Sequence, residues 1–347
     1  DGATQDQLQG VSLLEKAAQA GNVDAQMQLG QVYYEGNIID KNLYAAADWF
    51  QKAADQDNVK AQYYLGMMYY NGEGIEKDLT KSAALLEGAA ENQNAQAALL
   101  LGNLYLNGQG VKKNGQTAAK WLSIAANNGN AQAQTLLGRM YFDGVGVDKD
   151  QEKALQWLTK AANQDDAFAQ NMLGYVYHTG QGTTTDNRTA LQWYVKAADQ
   201  DIATAQYMAG LLYQQGLGVP QNSQQAAAYF EKAANNGIAD AQLQLGLLYA
   251  LGQGVEKDNI QAYVWMDIAH SSSNDSIRET AGQGLEKLKK SLSKDEVNQA
   301  SQQASELFNN IEQVETGSVT YMTELSADDV AAKEAQPEST WDFTSVN

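Results

Sequence analysis

Small and apolar residues recur along this chain with a period of 36 residues. Gly30, Gly66, Gly102, Gly138, Gly174, Gly210 and Gly246 stand 36 apart. Five residues before each is an alanine, from Ala25 to Ala241, and three after each is a tyrosine, from Tyr33 to Tyr249. A second glycine follows at six, from Gly36 to Gly252. An Ala-Ala pair comes later in each of six copies, from Ala53-Ala54 to Ala233-Ala234. Four residues before that point stands a bulky side chain: Trp49, Leu85, Trp121, Trp157, Trp193, Tyr229 or Trp265. Seven copies without an insertion mark a repeat array rather than independent domains.

Each copy reads as helix, loop, helix. In the first helix Ala, Leu, Gly and Tyr at offsets −5, −1, 0 and +3 from the glycine fall on one stripe at about 100° per residue. The loop, Asn71-Gly72-Glu73-Gly74-Ile75-Glu76-Lys77-Asp78 in one copy, opens on a glycine suited to a left-handed C-cap and closes on an acid suited to the next N-cap. A glycine inside a helix costs roughly 1 kcal/mol against alanine. Seven of them predict close approach of the paired helix, against its small alanines, and the tyrosine and tryptophan series predict core.

The stretch Ala61-Gln62-Tyr63-Tyr64-Leu65-Gly66-Met67-Met68-Tyr69-Tyr70-Asn71-Gly72 resembles the Sel1-like repeats, a branch of the tetratricopeptide-like helical solenoids. The other copies match similarly, from about Leu8 to Ser272. The resemblance implies an all-α fold, a right-handed α-solenoid of seven helix pairs with helical caps. Departures are local. Ile38 replaces the second loop glycine of the first copy, so that loop must turn differently. Thr183-Thr184-Thr185 replaces an apolar loop residue in the fifth, Ala209 replaces Leu, and His270 replaces the second Ala of the last pair.

The expected organisation is an N-terminal capping helix over 1–23, seven repeats over 24–272, capping helices over 273–311 and an acidic, disordered tail over 312–347. In the first segment Leu13-Leu14 and Ala17-Ala18 look like an orphan second helix. The last capping helix, placed at 294–310, opens on the capping box Ser293-Lys294-Asp295-Glu296. The tail is strongly acidic and lacks a helical stripe. It reads as a spacer, with a docking motif left open by Tyr321-Met322 and Trp341-Asp342-Phe343.

Charge then removes partners. Against 42 Asp and Glu stand 23 Lys and Arg, a net charge of −19. Such a chain does not hold a phosphate backbone, which excludes nucleic acid as a main partner. No apolar run approaches the ~18 residues of a membrane span, and no basic segment with an apolar core opens the sequence as a leader would. Zero Cys removes thiolate chemistry, disulfides and Cys-ligated zinc. It suits an exported, periplasmic setting, with the cytoplasm as the alternative.

Two His leave little material for catalysis or metal binding. His178 reads as a surface ring replacing the aromatics of other copies. The acidic loops lack the ligand spacing of an EF-hand, and Gly72-x-Gly74 has no Lys-Ser/Thr after it to cradle phosphate. The expectation is no enzyme, no metal and no cofactor.

The informative positions are those that the repeat leaves free. Offsets −6, −3, +1 and +4 form a stripe opposite the Leu-Gly-Tyr stripe, and a curved solenoid turns that stripe to its concave side. Its bulky occupants are Tyr34, Tyr63, Met67, Tyr70, Leu99, Leu106, Arg139, Phe142, Phe168, Tyr175, His178, Tyr207, Leu211, Leu243 and Leu247. Polar residues such as Asp24, Gln31, Lys60, Gln96, Asn103, Gln132, Thr135 and Asn171 are interleaved. Tyr, Phe, Met and Arg are types enriched at interface hot spots. The competing reading is that tight curvature buries these side chains against one another. Two functions stay open. One is a protein-binding scaffold or adaptor for a protein or peptide, as the resemblance implies. The other is an immunity-type inhibitor of a secreted toxin such as a phospholipase, which some bacterial members are. A basic partner suits the charge in either case, and the free chain is expected to be monomeric.

Overall fold

The structure, a computed structural model, describes residues 5–318, and the side chains of residues 5–311. Among the described residues it holds seventeen α-helices and no strand, as the 36-residue period predicts. The leading helix is α1 (Gln5–Gln19). The first helices of the seven pairs are α2 (Val23–Glu35), α4 (Val59–Asn71), α6 (Ala95–Asn107), α8 (Ala131–Asp143), α10 (Ala167–Thr179), α12 (Ala203–Gln215) and α14 (Ala239–Leu251). Their second helices are α3 (Leu43–Ala54), α5 (Leu79–Glu91), α7 (Gly115–Asn127), α9 (Gln151–Ala162), α11 (Asn187–Ala198), α13 (Ser223–Asn235) and α15 (Asn259–His270). Two closing helices follow, α16 (Asp275–Ser291) and α17 (Lys294–Ser318).

The chain forms two compact units, Asp1–Asp166 and Ala167–Asn347. In the first, α1 packs on α2, and each later helix packs on the next in order as far as α9. In the second, the same order runs from α10 to α16, and α17 turns back onto α15. α17 continues past its expected end at Asn310. Ile311 is buried in the same core cluster as Trp265 and Leu285, so this anchored turn carries the helix onward. Residues 312–318, expected as the start of the disordered tail, are the end of this helix, and the rest of the tail, with Tyr321 and Trp341, lies outside the described residues.

The helical glycines do permit close approach, to alanine backbone at Gly102 and Gly246, where a Cβ would stand 3.5 Å from the Ala118 carbonyl oxygen and 3.2 Å from that of Ala262, and above all to a large side chain. One large side chain of the paired helix lies flat on each. A Cβ on Gly30 would stand 2.6 Å from the Phe50 ring, and on Gly174 2.5 Å from the Tyr194 ring. On Gly102, Gly138 and Gly210 the neighbours are Leu122 at 2.7 Å, Leu158 at 2.8 Å and Phe230 at 2.7 Å. Leu86 and Met266 take the same place over Gly66 and Gly246. Phe50, Leu86, Leu122, Leu158 and Phe230 are all 0% exposed. Burial of one such side chain contributes about 1.5–3 kcal/mol, which outweighs the roughly 1 kcal/mol that the glycine costs its helix.

The seat belongs to the residue after the predicted bulky position. Only Trp121 and Trp265 of that series are buried. Trp49, Trp157 and Trp193 stay partly exposed because the next residue points inward. A lysine one turn on lies over each ring, at 4.0 Å for Lys52 and Lys160 and 4.3 Å for Lys196. The tyrosine series is likewise half-buried rather than core. Its constant role lies in the backbone: the carbonyls of Tyr69 and Tyr141 accept from the amides of Asp78 and Asp150, at 3.0 and 2.9 Å. Those acids cap the following helix, as the loop pattern predicts.

A buried glutamine at offset −4 ties neighbouring repeats together. Gln26 Nε2 donates to the Ala18 carbonyl at 3.1 Å, and its Oε1 accepts from Gln56 at 2.8 Å. Gln134 repeats this with Ala126 and Gln164, and Gln206 with Ala198 and Asn236. One amide thereby joins the ends of three successive helices. Where Ala98 occupies the position, Asn128 turns to its own Ile124 carbonyl.

The first loop departs as expected. No left-handed residue follows Gly36 there, and Ile38 and Ile39 pack on the cluster of Val11, Ala18 and Leu29. In the next copy Gly74 instead lies against the first turn of α3, where a Cβ would meet that of Leu43 at 2.5 Å.

Two stability changes follow. Gly138→Leu drives a branched side chain into Leu158, and overpacking of this kind costs about 1–3 kcal/mol. Urea unfolding should show a lower midpoint, and an unchanged midpoint would remove the seat from the account. Gln93 has φ +63°, where Gly129 and Gly237 serve in other repeats. Gln93→Gly should raise stability by about 0.5–1 kcal/mol, the left-handed strain relieved less the entropy that glycine adds to the unfolded chain. A fall in melting temperature would contradict it.

Candidate binding surface

The residues expected to line a binding face lie on the first helices, on the flank beside the glycine seats. In the first unit Tyr34, Tyr63, Met67, Tyr70, Leu99, Leu106, Arg139 and Phe142 are all partly buried. They rest on one another and on the core. Tyr34 packs on Phe50 at 6.3 Å between ring centroids and edge-on to Tyr64 at 5.9 Å, and Tyr63 meets Tyr64 edge-on at 5.5 Å. The side-by-side burial that the sequence left open is therefore present, but incomplete, so Tyr34, Tyr63, Tyr70 and Phe142 each still meet solvent along one edge.

Loop lysines flank this stripe. Lys41 lies 5.4 Å from the Tyr34 ring centre, Lys77 5.7 Å from Tyr70 and Lys149 5.6 Å from Phe142. Each lysine stands seven residues after its ring, so loop and helix together build the arrangement. Arg139 pairs with Asp143 at 3.4 Å on the same face. The Tyr34 hydroxyl donates to Glu73 at 2.9 Å. Burial first, and then this carboxylate, push its pKa up to about 12. The Tyr63 hydroxyl is pushed up as well, by burial and by the neighbouring Tyr64.

The second unit is more polar. Phe168, Tyr175, His178, Tyr207 and Leu211 are partly buried. Tyr175 accepts a hydrogen bond from Gln181 at 3.0 Å. His178 Nδ1 lies 2.7 Å from Asn187 Oδ1. Asn171 donates to Thr204 at 3.1 Å. Two expected residues do not belong to this surface. Leu243 and Leu247 are 8% and 6% exposed and sit in the core cluster with Ile277 and Leu285 of α16, because the closing helices cover the last repeat. In the first unit Thr135, expected among the interleaved polar residues, is also buried, bonded to the Ala131 carbonyl.

Chemistry beyond contact is sparse among the described residues. No three His, Cys, Asp or Glu side chains gather as metal ligands, and no helix is long and apolar enough to cross a membrane. His270 is held by the Arg278 carbonyl at 2.8 Å. A shallow hollow between α15 and α17 is lined by Asp267, Ser271, Ser305 and Phe308, and burial pushes the Asp267 carboxyl up.

The Sel1 repeat model matches eight successive segments: 1–22, 23–58, 59–94, 95–130, 131–166, 167–202, 203–238 and 239–269. The chain belongs to the Sel1 repeat family. The first match takes in the segment carrying α1. Among solved structures, the protective antigen c5321 of uropathogenic Escherichia coli, with an SLR fold, is 34% identical with a TM-score of 0.74, over 90% of this chain and 68% of that one. A Sel1 repeat protein from Oxalobacter formigenes is 37% identical with a TM-score of 0.64, over 81% of this chain and 80% of that one. The immunity protein Pa5087 of Pseudomonas aeruginosa aligns at 21% identity and a TM-score of 0.34, too remote to argue from. A search of curated proteins finds no match. Sel1 repeat proteins typically mediate protein–protein interaction, and the repeat is generally a non-catalytic scaffold.

The Tyr34–Glu73 bond makes a pH prediction. The raised pKa means that the fold favours the neutral phenol. Its contribution is whole below the ordinary value near 10 and is lost as pH rises through about 12. Tyr34→Phe should lower stability by about 0.5–1 kcal/mol near neutrality, with the gap to the parent protein closing between pH 10 and about 12. Urea titrations across that range would show it, and a gap that widens there would refute the assignment.

Proposed function

We propose that this chain is a non-enzymatic scaffold that binds a protein or peptide on the free stripes of its first helices. The observation that carries this reading is the row of partly buried aromatics, Tyr34, Tyr63, Tyr70 and Phe142, the first two held by ring contacts with Tyr64, with Lys41, Lys77 and Lys149 over Tyr34, Tyr70 and Phe142. Rings already fixed in the free protein lose little side-chain entropy on binding, which favours affinity. Exposed apolar edges that repeat along a surface are costly unless a partner covers them. The family's usual role in protein interaction agrees with this use. The flanking lysines and the Arg139–Asp143 pair give each edge a mixed charge, so acidic and basic groups of a partner both find a counterpart despite the net −19. An immunity-type inhibitor would use the same stripes, but no comparison close enough to argue from favours it, and the adaptor reading is preferred. An exported location belongs to this reading through the absence of Cys.

The test is site-specific photo-crosslinking in the native cell, with the crosslinker at Tyr63 or Tyr175 and, as a control, at exposed Lys52. A partner captured from the first two sites and not from the third is expected. With that partner purified, Tyr63→Ala, Phe142→Ala and Tyr175→Ala should each weaken binding by roughly 2 kcal/mol, about thirtyfold, with the helical signal unchanged. Normal binding by all three variants would overturn the proposal.

A further inference from the structure

The closing helices cover an acid whose counterparts in earlier repeats stand in water. α17 turns back onto α15, and between them lies a hollow of about 230 Å³ at the C-terminal end of α15. Asp267 lines it, together with the hydroxyl-bearing Ser271 and Ser305 and the apolar Ile268, Ala304 and Phe308. In the register of the repeat, Asp267 corresponds to Glu231 and Glu87. Those two acids are exposed, whereas Asp267 is partly buried, because α17 lies beside the last of the second helices.

The Asp267 carboxylate is not met by the groups around it. Among the described residues it accepts no hydrogen bond and joins no ion pair. Two basic side chains stand near and are engaged elsewhere. His270 is held by the Arg278 carbonyl at 2.8 Å, and Lys289 of α16 pairs with Glu286 at 2.8 Å. Burial outweighs their pull and raises the Asp267 pKa. Ser271 is the C-cap of α15, so the last carbonyls of that helix add negative partial charge at the same place. A half-buried carboxylate in such a field is costly unless a cation meets it. A metal ion is poorly served here, since no three His, Cys, Asp or Glu side chains gather among the described residues.

Size and lining narrow the cation further. A water takes about 30 Å³ of liquid, so the hollow has room for about seven waters, or for one long side chain. Ile268, Ala304 and Phe308 offer an apolar wall to a methylene stem, as a snorkelling side chain needs. The carboxylate and the two serine hydroxyls offer acceptors to a head group with three donors, which is the inventory of an ammonium. Ser305 already donates to the Ser301 carbonyl at 2.9 Å, which leaves its oxygen to accept. The Phe308 ring adds attraction for a cation. The hollow is shallow, so the backbone that carries such a side chain can pass outside it, and the net charge of −19 draws a basic partner towards it. We infer that the hollow between α15 and α17 is a docking site for a lysine side chain of a partner protein, with its ammonium on Asp267 and its stem along Phe308.

The probe is a blocked pentapeptide with one lysine between glycines, titrated into the full chain and followed by the amide NMR shifts of Ser271, Ser305 and Phe308. Saturable shifts are expected, with the affinity weakened roughly tenfold or more by Asp267→Asn in the protein or by acetylation of the probe's lysine. Asp267→Asn removes an unmet, half-buried charge, so the melting temperature near neutral pH should not fall and lost binding cannot be laid to unfolding. Glu231→Gln, in the same register on an exposed helix face, should leave the affinity unchanged. Absence of saturable shifts, equal binding to Asp267→Asn, or an equal loss with Glu231→Gln would overturn the inference. So would an arginine probe bound as tightly, which makes the attraction one of charge alone. n-Butylammonium bound roughly tenfold tighter than the peptide would assign the hollow to a free amine instead, and binding gained only in Lys333→Ala would assign it to the chain's own lysine. Failure of the first-helix stripes to bind a partner would leave this result untouched.

Discussion

One contact recurs in every repeat and the other features arrange themselves around it: a large side chain of the second helix lying on a glycine of the first. It needs a glycine, because even a methyl group on Gly30 or Gly174 would enter a ring. It needs a bulky residue twenty positions later, as with Gly30 and Phe50 or Gly210 and Phe230. That distance runs through one loop and two part-helices, so an insertion in any of them would move the ring off its glycine. The absence of insertions over seven copies follows. The identity of the large residue is free within limits, since Phe, Leu, Tyr and Met all lie flat on a bare Cα at comparable volume.

The seat uses one side of each first helix and leaves the neighbouring stripe only partly engaged within the pair, as where Tyr34 rests on Phe50. That is where this chain varies, from Tyr63 and Phe142 in the first unit to the hydrogen-bonded Tyr175 and His178 in the second. Packing at the seat and the candidate surface are thereby largely separated. A change at Gly138 acts on stability, whereas a change at Tyr63 alters the surface with little effect on the pair. The polar ties follow the same economy. Gln26, Gln134 and Gln206 join helix ends across repeats by amide bonds buried from water, where an unmet partner would cost about 1–3 kcal/mol. They hold the register between repeats, which apolar contacts alone define loosely.

The repeat length, the seventeen helices, the capping acids at Asp78 and Asp150 and the free stripe could be read from the sequence because each depends on local periodicity. Helical geometry turns spacing into facing, and seven copies average out the exceptions. Which side chain fills the space over each glycine could not be read this way. Trp157 and Leu158 are adjacent and both apolar, and only the crossing of α8 and α9 sends Leu158 inward and leaves Trp157 at the rim under Lys160. The partners of Gln134, eight residues back and thirty ahead, become visible only when three helix ends are placed together. Leu243 and Leu247 share the spacing of Tyr63 and Met67, yet the closing helices bury them. Gly10 matches Ala46 in register, yet is exposed, with nothing within 4 Å of a Cβ placed there. Periodicity along the chain determined which residues face which way. What each face meets was decided by tertiary structure alone, because burial is a property of the neighbour and not of the residue.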